Sequence, residues 1–367
     1  MMSCCLMVSA TTSSRRGATA SGQPTTPLRR PEPEHCGLGF VWLPDLDTGG
    51  QVVVRAADAK PGEISVDHWV ASVERFTGKP FAQCVLGDLV SRPEDTRLDD
   101  ASWKRHQQAV LLLDAYAYAN AIGGTPTSRP EDIEVHPLDA SVYIAFTDST
   151  GNDDGSPDVR IFPDSKGENS RQYGAIYRIE EHERDPAATR FTWGKFVSAG
   201  EAADGGGGFA CCDNLVFDPA GNLWMVTDIT TTAHNFPVNR EDKTAPGAPR
   251  FPGVFGNNAL FCIPTRGANA GVPFCFAIGP MECELTGPTF TDDGRSLLLS
   301  VQYPGDLHGT RGRNPRHAAE VVRTMKLAAR DGTLFEQKRT VPLGSNFPSK
   351  RLGDTPKPCV ACITRRP

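Results

Sequence analysis

The sequence predicts an all-β fold of repeated antiparallel hairpins, the kind that form the blades of a β-propeller. Three observations carry this expectation. One hairpin pattern recurs at wide and uneven spacing, beginning at Glu131, Asp213 and Thr286. Glycine and proline are abundant, 36 and 30 of 367 residues, which suits many turns between short strands. A single segment, residues 101–122, carries a helical pattern. Length alone would fit two ordinary domains equally well, but a hairpin repeated along the chain favours one large β architecture.

Residues 1–36 stand apart from the rest. Arg15, Arg16, Arg29 and Arg30 lie among many Ser and Thr with no acid before Glu32, the composition of a disordered leader or a transit-like segment. Arg15-Arg16 hints at twin-arginine export, but Gly17 onward lacks the apolar stretch that such a signal requires. The β region is expected over 37–367. Within it, residues 101–122 combine strong helix formers with Asp100 or Ser102 as a cap and Gly123-Gly124 past the end, so they are expected to form the one inserted helix.

The three hairpins follow. Glu131-Asp-Ile-Glu-Val-His-Pro-Leu-Asp-Ala-Ser-Val-Tyr-Ile-Ala, Asp213-Asn-Leu-Val-Phe-Asp-Pro-Ala-Gly-Asn-Leu-Trp-Met-Val-Thr-Asp and Thr286-Gly-Pro-Thr-Phe-Thr-Asp-Asp-Gly-Arg-Ser-Leu-Leu-Leu-Ser each read as a short strand, a tight turn and a second, more apolar strand. Residues 151–171, 200–208 and 235–256 are polar and rich in Gly or Pro and read as long loops. Loops of that length in a compact fold usually bind something. Pro358-Cys-Val-Ala-Cys-Ile-Thr reads as a short terminal strand. Eleven cysteines are many, but Cys359-x-x-Cys362 has no second pair to make a structural zinc site, and Cys4-Cys5 and Cys211-Cys212 are vicinal.

Charge and motifs exclude several functions. Thirty-eight basic against 44 acidic residues give a formal net charge of -6, so no global basic field exists to bind a nucleic-acid backbone. No apolar run is long enough for a membrane span. GxxxxGK[ST], a strand-borne GxGxxG, GxSxG and HExxH are all missing, and no catalytic nucleophile stands out.

Carboxylates remain. Glu131, Asp132 and Glu134 crowd beside Arg129; on a strand, Asp132 and Glu134 share one face and Glu131 takes the other. Glu282 and Glu284 alternate in the same way, and two carboxylates on one face repel unless a cation or a proton offsets them. The loops Asp45-x-Asp47-x-Gly49 and Asp148 to Asp154 offer oxygen ligands of the type calcium prefers, without the twelve-residue EF-hand pattern. In a propeller the entrance of every innermost strand faces the central channel, so Glu131, Asp213, Asn214 and Glu284 would converge there.

Five ordered motifs carry a resemblance: Arg129-Pro-Glu-Asp-Ile-Glu-Val-His-Pro, the Asp213 hairpin, Gly256-Asn-Asn-Ala-Leu, Cys283-Glu-Leu-Thr-Gly-Pro-Thr-Phe-Thr-x-Asp-Gly and Val301-Gln-Tyr-Pro-Gly. In that order they resemble the PhoX family of alkaline phosphatases, as do Gly344-Ser-Asn-Phe-Pro and the C-terminal Pro356-Lys-Pro stretch. The resemblance implies a six-bladed propeller whose channel holds iron and calcium and hydrolyses phosphate monoesters and some diesters. It implies metal ligation by Glu131 and Glu284, and a metal-side or substrate-side place for Asp213 and Asn214. It further implies small phosphate esters as substrates, a monomer, and a site of action outside the cytoplasm. The family's Trp-Gly-Thr and Cys-Glu-Glu segment has no counterpart here, and Cys212 and Tyr303 replace a usual Pro and His. The chain is therefore expected to be the C-terminal portion, without the N-terminal blades, and inactive alone if the metal site is incomplete. Two alternatives use the same carboxylates, a noncatalytic calcium-binding propeller and a calcium-dependent propeller lactonase.

Overall fold

The computed structural model describes residues 24–25, 27–28, 40–44, 51–55, 66–90, 92, 97–113, 129–147, 173–186, 188, 190–200, 202, 205–235, 255–312, 320–328 and 333–364. Most of the leader, both Asp-rich loops, the whole 151–171 stretch and most of 235–256 lie outside them. The described residues are mostly antiparallel β-sheet with few helices. They divide into two units, one comprising 1–128, 150–170 and 181–192, the other 129–149, 171–180 and 193–367.

The first unit holds a hairpin, β1 (Phe40–Pro44) and β2 (Gln51–Arg55), and two helices, α1 (Val66–Thr77) and α2 (Asp100–Leu113). Among the described residues two α-helices stand where one was expected. Helix α1 forms because Trp69 and Val73, four residues apart, make one apolar stripe; both are buried, and Trp69 meets Phe81 edge to face at 5.3 Å. Gly78 ends it at φ 68°, a left-handed conformation that glycine adopts without penalty, and its N–H donates to the Glu74 carbonyl at 2.9 Å. Helix α2 overlaps the expected span but starts one residue earlier, and its cap is Asp99, whose Oδ1 accepts the Ser102 N–H at 2.7 Å. Trp103 and Leu111 are its buried residues. Residues 114–122 of the expected helix lie outside the described ones.

In the second unit β3 (Pro130–Val135), β4 (Val142–Phe146), β5 (Ala175–Glu181) and β6 (Phe191–Ser198) form a sheet in the order 3-4-5-6, with the last residue of β5 and the first two of β6 assigned to the other unit. Strands β7 (Cys212–Phe217), β8 (Leu223–Thr227), β9 (Ala259–Ile263) and β10 (Phe274–Ile278) form a second, ordered 10-9-8-7. Strands β11 (Glu284–Phe290), β12 (Ser296–Gln302) and β15 (Cys359–Thr364) form a third, and β13 (Glu320–Ala328) pairs with β14 (Leu334–Pro342) as a two-stranded ribbon. All three expected hairpins and the terminal strand are present: β3–β4, β7–β8, β11–β12 and β15.

Two apolar clusters join these sheets. Tyr143, Ile176, Leu215, Leu223, Met225 and Phe261 pack the first sheet to the second, and Val226, Leu260, Cys283, Leu285, Leu299 and Val301 pack the second to the third. The sheets are thus layered so that β3, β7 and β11, each an edge strand of its own sheet, lie in sequence beside one another. No backbone ladder joins β3 to β7 or β7 to β11 among the described residues.

Candidate metal centre

Each of the three edge strands carries an irregularity, near the start in β3 and β7 and midway in β11. In β3, Pro130 faces Phe146 and Asp132 faces Ala145, so Glu131 is an extra residue. In β7, Cys212 faces Thr227 and Leu215 faces Met225, so Asp213 and Asn214 oppose Val226 alone. In β11 the register shifts between Thr286 and Thr289. Bulges of this kind re-aim side chains next to functional sites. Here they fall on three of the four residues that the sequence singled out, Glu131, Asp213 and Asn214.

Asp213, Asp228 and Glu284 bring carboxylate oxygens within 4.8 Å of one another. Asp213 is buried; the other two are half-buried. Asp228 follows β8 directly, and its N–H donates to the Cys211 carbonyl at 2.8 Å, which sets it across the hairpin from Asp213. Glu284 opens β11 opposite Gln302, whose amide donates to Oε1 at 3.3 Å.

Electrostatics show a site short of positive charge. Burial, then the charges of Glu131, Asp228, Glu284 and Asp132, push the Asp213 carboxyl up to about 7. Burial also raises Glu284, helped by Asp228 and Glu131, and raises Asp228, where Arg129 and His234 pull the other way. Glu131 is therefore close enough to act on both Asp213 and Glu284, and it accepts the Arg129 guanidinium at 3.0 Å. Several ionisable acids crowded under partial burial are stabilised by a proton or by a bound cation. The donor set is all oxygen, of the kind hard cations such as calcium take. The neighbouring Cys212 thiol does not add to it: burial raises its pKa strongly, and Sγ donates to the Phe146 carbonyl at 3.3 Å.

Asn214 is turned otherwise. Its Oδ1 accepts the Gly287 N–H at 2.8 Å and the Thr286 hydroxyl, while Nδ2 lies 3.4 Å from Asp213 Oδ1. Glu282 does not pair with Glu284 as the alternation predicted. It precedes β11 with φ 56°, so strand periodicity does not apply to it, and its buried carboxylate accepts the N–H groups of His308 and Gly344, both at 2.9 Å, and lies 2.7 Å from His308 Nδ1. It needs no cation. Asp132 and Glu134 do interact, since Asp132 helps to raise Glu134 beyond the effect of burial.

Sequence reasoning placed Arg129 beside the acids but missed Asp228 and His234. Asp228 closes the hairpin motif that begins at Asp213, and pairing Cys212 with Thr227 would have placed it beside that residue. His234 is buried with Nε2 2.8 Å from the Ile229 carbonyl, and Nδ1 has no hydrogen-bond partner. It sits between the loop after β8 and the residues near 255–258, which no local pattern links.

Fold and site together define an antiparallel β protein with a carboxylate centre suited to a hard cation. The family model described as alkaline phosphatase PhoX matches residues 44–305, well over half of the chain, and the chain belongs to that family. Among solved structures it is similar to Pseudomonas fluorescens PhoX in complex with vanadate, a transition state analogue, at 28% identity and a TM-score of 0.46, covering 70% of this chain and 37% of that one. Among curated proteins no relative matches.

Proposed function

We propose that the chain forms part of a metal-dependent alkaline phosphatase that hydrolyses phosphate monoesters, and some diesters, with its sheets as blades of a propeller around the acidic centre. One observation supports the reading above all: three carboxylates remote in sequence meet within 4.8 Å in a chain of the PhoX family. Calcium is the ion that the oxygen donors suit, and iron enters from the family resemblance. A cation bound there supplies Lewis acidity toward a phosphoryl oxygen.

The chain's own groups have separable tasks. Asp213, Asp228 and Glu284 hold the cation, with Glu131 beside them. Arg129 is exposed and bonded to Glu131, so its planar fork can receive phosphoryl oxygens while remaining oriented by that carboxylate. Small phosphate esters are the proposed substrates, acted on by a single copy outside the cytoplasm.

The test is metal analysis of the purified chain together with hydrolysis of p-nitrophenyl phosphate at alkaline pH. Bound calcium is expected, with calcium-dependent hydrolysis that Glu284→Gln and Glu131→Gln lower by about 10–100-fold or more. Bound calcium with no phosphate release would leave a noncatalytic cation-binding module, and lactone hydrolysis in its place would leave a lactonase.

A further inference from the structure

Strands β3, β7 and β11 adjoin as edges without a shared ladder, so some of their backbone N–H groups need other acceptors. Two are met by side chains from the neighbouring strand. Asp132 Oδ2 accepts the Leu215 N–H at 2.7 Å, joining β3 to β7. Asn214 Oδ1 accepts the Gly287 N–H at 2.8 Å and the Thr286 hydroxyl, joining β7 to β11. When the three hairpins are aligned at Glu131, Asp213 and Thr286, Asp132 and Asn214 occupy the same second position. The first position of the earlier two repeats carries an acid of the centre, and the second reaches to the next strand.

We propose that Asp132 and Asn214 are positioning residues, a repeated latch that fixes the spacing between Glu131, Asp213 and Glu284 and thereby the centre's affinity for a cation. The proposal rests on the cation-site reading above. The bulges separate the two tasks: by adding a residue to the strand, they let neighbouring side chains serve the centre and the adjacent strand respectively. Asp132 brings a charge-assisted bond, which is stronger than a neutral one. Asn214 offers a neutral acceptor, and both its bonds go to β11. An aspartate there would place another negative charge against Asp213. Asn214 Oδ1 is thus spent on β11, and what it sets is the distance between the strand that carries Asp213 and the one that carries Glu284.

Terbium titration of the full chain tests this, with luminescence lifetimes in H2O and D2O counting the waters on the bound ion. The wild-type chain takes up terbium, and Glu284→Gln weakens that uptake. Asn214→Ala and Asp132→Ala weaken it by about 10–100-fold, as loss of outer partners does, with the water count unchanged. Asp132→Asn keeps an acceptor for the Leu215 N–H and retains most of the wild-type affinity. Thr286→Val, a mild change at the strand, weakens uptake less than Asn214→Ala and adds nothing to it in the double variant. A gain of one water in Asn214→Ala would make Asn214 a ligand and overturn the latch, and so would unchanged affinity in both alanine variants. If the wild-type chain takes up no terbium, the cation-site reading falls and the latch falls with it.

Discussion

His136, just after β3, lies against Gly221, in the turn between β7 and β8, with Nε2 3.1 Å from the Gly221 carbonyl oxygen and 3.2 Å from Thr265 Oγ1. The imidazole is buried, and Phe217 meets its ring edge to face at 4.9 Å. This contact joins two hairpins at the turn end of β7, while the carboxylates gather at its start. A buried polar ring set among aromatic neighbours with both nitrogens near partners holds register as a hydrocarbon of equal size would not.

Gly221 is therefore a sensitive position. Its φ is 83°, and a Cβ would stand 2.8 Å from His136 Nε2. Gly221→Ala is expected to cost about 2–3 kcal/mol, from backbone strain together with displacement of the ring. Urea unfolding of the full chain measures it. A change below about 0.5 kcal/mol, the usual size for a neutral surface substitution, would mean that the turn relaxes freely.

Asp139 yields a prediction about acid. Partial burial opposes its charge, but the hydroxyl and N–H of Ser141, the Arg266 guanidinium and His136 outweigh it and hold the carboxyl well below its ordinary value. Its Oδ2 also lies 3.5 Å from Arg178. A carboxyl depressed in the folded state stabilises the fold above its unfolded pKa of about 3.9 and loses that contribution as pH falls below it. Asp139→Asn should thus cost about 1–3 kcal/mol at pH 7, and the gap from wild type should narrow steadily below about pH 4. Urea midpoints for both proteins at pH 7 and pH 3 decide it; a gap of the same size at both would remove the carboxylate's charge from the account.

Much of this architecture is written locally in the chain. The hairpins are legible because each turn carries its own chemistry: Asp218 Oδ1 accepts the N–H groups of Ala220 and Asn222, both at 2.9 Å, and Gly294 takes a positive φ between β11 and β12. Helix α1 was legible in principle from Trp69, Val73 and the Gly78 stop, but a stripe of two large residues in a polar segment is a weak signal. The centre is less legible. Glu131, Asp213 and Glu284 follow from their place at strand entrances, whereas the bulges that aim Glu131 and Asp213 leave no pattern in residue type. Glu282 shows the limit plainly. Two residues from Glu284, it would share a face by alternation, yet a positive φ turns it to a different set of partners.

The crowding of the centre predicts that one of its own acids destabilises the cation-free fold. Asp213 holds its proton up to about pH 7 in the folded chain, against about 3.9 when unfolded. The folded state therefore binds more protons between those values, and stability falls as pH rises through that window and levels off above it. Asp213→Asn removes this penalty. At pH 8 with chelator present, the variant should be more stable than wild type by about 1–2 kcal/mol, less than the full shift implies because solvent and structural relaxation screen part of it. At pH 4 the difference should vanish. Added calcium should reverse the order, because the ion stabilises only a chain that can bind it, by about 2.7 kcal/mol at a hundredfold excess over its dissociation constant. Thermal unfolding of both proteins with chelator and with calcium reads all three comparisons. If wild type is the more stable in chelator at pH 8, the Asp213 carboxylate already has a compensating partner and the centre has no need of a cation.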